Sequence, residues 1–195
     1  MRRTPWTHTW TLTAGLLAAA ALIPATARAA DPLERFTAFA VDMSGRARSS
    51  ATTVDIAIER WTTDDERDRL TAALSENGAD SLLKALRKVE PRVGYIRTAT
   101  SIGYPLRFAR QVPLPDGGRR ILIATDRRLS FMEVANSRRT VDYPFLVIDM
   151  RLAPDGEGEG RLLPLARVEL HPDHVVEIEN YSAQPVRLTK VKKAD

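Results

Sequence analysis

The sequence predicts a mainly β protein of the α+β class: an antiparallel sandwich or barrel of about nine strands carrying an inserted helical hairpin. Three observations predict it. Short runs with period-two alternation recur along most of the chain. Tight-turn residues separate them, most clearly Pro115-Asp116-Gly117-Gly118. One stretch, between Thr63 and Pro91, switches to the three-to-four spacing of a helix.

The elements follow in order. Phe36 to Val41 opens the first strand, and a small polar loop from Ser44 to Ser50 leads to the second. Thr53 to Trp61 places Val54, Ile56 and Ile58 on one face. Thr63-Asp64-Asp65-Glu66 is a capping box, in which the Thr63 hydroxyl accepts from the third helical N–H and Glu66 reaches back. Leu70, Ala73 and Leu74 continue that helix until Asn77-Gly78 stops it, and Asp80 opens a second helix with Leu82, Leu83, Leu86 and Val89 apolar, ended by Pro91. Strands are then expected over 94–100 and 106–114, flanking a Gly103-Tyr104-Pro105 turn, and over 121–125, 129–134 and 143–152. In the last of these Leu146, Ile148, Met150 and Leu152 share a face. A glycine-rich loop, Asp155 to Gly160, leads to strands over 162–170, 175–181 and 186–191.

The ends and the composition limit the possible roles. Arg2 and Arg3, an apolar run from Leu12 to Ile23, Pro24, and the small-x-small Ala27-Arg28-Ala29 have the layout of a cleavable export signal over residues 1–29. A run of twelve residues is short of the roughly 20 needed to cross a bilayer, so no membrane span is expected after cleavage. Residues 30–195 are expected to form one mature domain in the periplasm or outside the cell. Loss of Arg2, Arg3 and Arg28 leaves 26 basic against 25 acidic residues, a near balance that argues against a nucleic-acid partner. With no cysteine the chain has no disulfide, thiol nucleophile or thiolate metal site.

Glu59-Arg60-Trp61-Thr62-Thr63, Gly117 to Ile121 through Thr125-Asp126-Arg127, Tyr143-Pro144-Phe145, and Glu179-Asn180-Tyr181 through Pro185 to Leu188 resemble an uncharacterised family of secreted bacterial proteins. The resemblance spans nearly the whole mature chain. It implies a single exported domain and transfers no catalytic residue.

Candidate chemistry is sparse. His171 and His174 flank Pro172-Asp173 and are the candidate metal ligands. Strand register argues against a shared metal. A Pro172-Asp173-His174 loop pairs Val168 with Ile178 and Leu170 with Val176, leaving His174 at an exposed tip away from His171. Asp126-Arg127-Arg128 is a candidate grip for an anionic ligand through guanidinium forks, and equally a charged turn. Trp61 is a candidate stacking residue if the domain is an open-mouthed barrel, and otherwise packs the helices on the sheet. Asp149, Glu169, Glu177 and Glu179 could serve a small hydrolase, although Arg151, Arg167 and Arg187 interleave with them as on an ordinary solvated sheet face. The Asp155–Gly160 loop lacks the alternating oxygen ligands of a calcium loop. No cofactor is implied, since neither a phosphate loop nor a nucleophile elbow is present. The expected role is a non-catalytic binding or interaction domain for a small ligand or an envelope protein. The alternatives are the hydrolase and a structural envelope protein.

Overall fold

The computed structural model describes residues 31–41, 51–126, 145–170, 176–180 and 186–194, with residues 145, 164–170 and 176–180 described by backbone alone. Among these described residues ten strands and one helix follow in chain order: β1 (Glu34–Val41), β2 (Ala51–Ile58), α1 (Asp64–Arg87), β3 (Gly94–Thr98), β4 (Tyr104–Leu106), β5 (Phe108–Pro113), β6 (Arg119–Thr125), β7 (Phe145–Leu152), β8 (Glu157–Leu170), β9 (Val176–Asn180) and β10 (Val186–Ala194). All the ladders are antiparallel, in the order β4-β3-β2-β1-β10-β8-β7-β6-β5, with β9 paired to the second half of β8.

The two ends of that path are halves of one stretch of chain. β4 pairs with β3, the backbone bends at Arg107, and β5 pairs with β6. Across the bend Arg107 N–H donates to Ala124 O, and Thr125 Oγ1 donates to Pro105 O. The sheet thus curls into a nearly closed barrel. Its register shows the stagger of tilted staves. From β4 through β3, β2 and β1 the ladder reaches Ala194 of β10; from β5 through β6, β7 and β8 it reaches Val186.

Alternation decides what fills the barrel. Phe36, Ala38 and Ala40 on β1, Val54, Ile56 and Ile58 on β2, Ile96 on β3 and Leu106 on β4 point inward. So do Ile121 and Ile123 on β6, Leu146, Ile148 and Met150 on β7, and Leu188 and Val191 on β10. Each is at most 2% exposed, so among the described residues the inward side chains form a packed core.

Helix α1 begins and ends where the composition calls for it. The Thr63 hydroxyl accepts from Glu66 N–H at 3.2 Å, and the Glu66 carboxylate accepts from Thr63 N–H at 3.0 Å. Leu70, Leu74, Leu82 and Leu86 are its buried face. The expected helical pair is a single element broken at Asn77 and Gly78. A straight helix of 24 residues would span about 36 Å. Yet Arg60 holds both Glu66, in the first turn, and Pro91 O, beyond the last. The helix therefore folds back on itself at Gly78.

An outward row on the barrel receives it. Phe108, Ala124, Val147 and Leu163 are register partners on β5, β6, β7 and β8, on the face opposite the inward residues. Val147 and Leu163 are nevertheless buried. The helix is tethered to β5 through Arg110–Asp64 and packs against β8, so it lies across this row from outside, and its leucines join the same apolar cluster.

Three expectations need correction. The Gly103-Tyr104-Pro105 turn is displaced, because Tyr104 and Pro105 already pair with β3. Trp61 lies beyond β2, which ends at Ile58, in the connection to α1. Four of the six residues of the glycine-rich loop are strand: the turn occupies 153–156 and β8 starts at Glu157. Gly158 permits this, since a Cβ there would lie 2.0 Å from Arg151 O. The β8–β9 register is the expected one, Val168 with Ile178 and Leu170 with Val176.

Candidate functional site

In an up-and-down sheet every second connection falls at the same end. The β5–β6 turn and the β7–β8 turn therefore rim one mouth of the barrel, and a cleft of about 560 Å³ opens between them. Its walls are Gln111, Pro113, Gly117, Gly118 and Arg119 on one side, and Ala153, Pro154, Asp155, Gly156 and Lys193 on the other. Both turns are hydrogen-bonded scaffolds. Leu114 N–H donates to Gly118 O, Ala153 N–H to Glu157 O, and Lys193 N–H to Gly156 O.

One lining residue, Arg119, is held by an ion pair across the lumen. Arg119 and Glu34 continue the inward faces of β6 and β1, strands separated by three others along the sheet. Arg119 Nη1 and Nη2 bind the two Glu34 oxygens at 2.9 and 2.8 Å, a bidentate fork. Nη1 also donates to Gln111 Oε1 at 2.8 Å, and the guanidinium lies 5.8 Å from the Phe36 ring centroid. Lys193 Nζ is 3.9 Å from Glu34 Oε1 and about half exposed. Two cations thus face one carboxylate whose oxygens are both engaged by Arg119. On the walls Asp155 is the acidic residue, and its Oδ1 accepts from Glu157 N–H. The mouth is rich in donors: the Lys193 ammonium, the Arg119 guanidinium and the Gln111 amide, whose oxygen already serves Arg119.

The sequence-derived candidates lie elsewhere. Asp126 follows β6 at the opposite end of that strand, its side chain 8% exposed, with Oδ1 3.6 Å from Arg107 Nε. Neither atom has a hydrogen bond. Arg107 itself is directed to Val89 O and Glu90. Arg127, Arg128, His171 and His174 lie outside the described residues. Trp61 is partly buried against the core, as packing between helix and sheet requires. Among the described residues no three His, Asp or Glu side chains gather as a metal site.

Asp149 is the sheet carboxylate whose side chain is described. It is 5% exposed on the outer face of β7, with Arg120 on one oxygen at 2.8 Å and Arg120 and Arg161 on the other at 3.2 and 3.0 Å. Burial alone would raise its pKa, but the hydrogen bonds and charges of the two guanidiniums outweigh burial and hold it below the ordinary 3.8. A carboxylate held ionised and fully engaged is not available as a general acid or base. Sequence reasoning passed over the mouth because Glu34 and Arg119 are far apart in the chain. Only the closed ring makes them neighbours. The one local signal was an arginine directly after a Gly-Gly turn, on the inward phase of a strand.

No family model, no curated protein and no solved structure matches this chain. Among the described residues no helix is long and apolar enough to cross a membrane.

Proposed function

We propose that the chain is an exported, non-catalytic binding domain of the cell envelope and that the polar barrel mouth is where it binds. The observation that carries this reading is the convergence of Arg119, Lys193 and Gln111 on one open cleft at the end of a filled barrel. Barrel mouths are common ligand sites, and a few oriented polar groups are what such sites need for specificity. The filled lumen argues against an apolar ligand held inside. The engagement of Asp149 by two arginines argues against the sheet-carboxylate hydrolase. Export rests on the charged start, the short apolar run and the Ala27-Arg28-Ala29 cleavage pattern.

Native mass spectrometry of the protein taken from its own exported fraction tests both parts. The expected result is a chain lacking residues 1–29 that carries an additional stoichiometric mass, lost when Arg119 is changed. An uncut chain retained in the cytoplasm would overturn the export reading. A mature chain without added mass from any growth condition would overturn the binding reading.

A further inference from the structure

Resting on that reading of the mouth, we infer that its ligand carries an anionic oxygen group, a carboxylate or a phosphate, and that a bulge at Lys190 turns Lys193 into the cleft to meet it. The charge count comes first. Arg119 and Lys193 balance Glu34 and Asp155, but both Glu34 oxygens are satisfied by Arg119, and Asp155 Oδ1 accepts from Glu157 N–H. The Lys193 ammonium has three N–H donors and one distant acceptor, and the Gln111 amide nitrogen donates to no described residue. A cationic donor left unspent beside carboxylates that are already engaged matches an anionic oxygen, for which charge-assisted hydrogen bonds are strongest.

The second observation is independent. On a regular strand Leu188 and Lys190 would share a face, and Val191 and Lys193 would point outward. Instead Leu188 and Val191 are both fully buried, opposite Gly160 and Gly158, and Lys193 stands opposite inward Phe36. The register shifts on both sides of β10 place one extra residue there, and Lys190 holds φ at 50°. That is the left-handed region, which glycine enters without steric cost and lysine does not. Bulges re-aim the side chains that follow them. Here the re-aimed polar side chain is Lys193, brought into contact range of Glu34.

The test is an NMR titration of the exported protein with succinate, inorganic phosphate and the neutral diamide succinamide. Saturable shifts at the amides of Gln111, Gly117, Gly156 and Lys193 are expected with an anion and not with succinamide. Whichever of succinate and phosphate binds more tightly identifies the group. Lys193→Gln, at an exposed position, is expected to weaken binding roughly tenfold without lowering the melting temperature. Lys190→Gly keeps the bulge and is expected to keep the affinity while raising the melting temperature. Deletion of Lys190 is expected to abolish binding by reversing Lys193. Equal binding of succinamide, or an affinity unchanged in Lys193→Gln, would overturn the inference and leave the mouth as a binding site. Absence of shifts with all three probes, with no mass bound to the exported protein, would overturn both.

Discussion

Arg60 and Glu66 tie sequence to tertiary structure through one pair of side chains. Arg60 Nη1 and Nη2 bind the Glu66 carboxylate at 2.8 and 2.9 Å, and its Nη2 also donates to Pro91 O at 2.6 Å. Glu66 in turn closes the capping box with Thr63. The Arg60 hydrogen bonds are the largest influence on the Glu66 carboxyl and, with those from Thr63, outweigh burial and hold it below its ordinary 4.5. A depressed carboxyl pKa contributes stability that is complete above the unfolded value and is lost as pH falls through the folded one. Glu66→Gln is therefore expected to cost about 1–2 kcal/mol near neutral pH. The difference from the parent should shrink as pH drops below 4.5, as urea unfolding at several pH values would show. At this scale the sequence was legible for the cap, which is local, and silent on the Arg60 contact with Pro91 O, which joins residues 31 apart.

At the scale of elements, Gly78 is decisive. Its φ of 68° and ψ of −151° lie in a region open to glycine alone. A Cβ there would touch nothing within 4 Å, so a substitution meets only backbone strain. Gly78→Ala is expected to destabilise the fold by about 1–3 kcal/mol in denaturant titrations, with little change in the helical signal at low denaturant. The Asn77-Gly78 pair announced this break in the sequence. Strand alternation announced the inward faces of β2 and β7, where Val54, Ile56, Ile58, Leu146, Ile148, Met150 and Leu152 are all buried. Two features escaped. The bend at Arg107 looks like an ordinary residue between apolar neighbours, yet it joins the two ends of the sheet path. The outward apolar row through Val147 and Leu163 is spread over four strands, so no single strand shows it.

For the whole molecule, the filled lumen separates this barrel from those that carry apolar cargo. Phe36, Ile56, Ile58, Ile96, Leu106, Ile121, Ile123, Leu146, Ile148 and Met150 are fully buried and belong to one packed cluster among the described residues. Nile red is expected to stay dark in the native protein and to brighten only as denaturant opens the core. A bright native state would require an internal cavity and would contradict the packing. The choice between sandwich and barrel, open in the sequence, turns on hydrogen bonds between residues adjacent to one bend. The candidate site was out of reach for the same reason, since it exists only once the ring has closed.

The pairing of β1 with β10 also governs timing. Phe36, Ala38 and Ala40 wait for a neighbour far along the chain, so the ladder from Arg35–Ala194 to Val41–Arg187 is a contact of very long sequence separation. Contacts of that kind are slow to form because a large loop must be closed first. Whenever the chain is delivered N-terminus first, whether from a ribosome or through a narrow pore, β1 remains half-paired until β10 arrives. The barrel thereby postpones its own closure until β10 has been delivered.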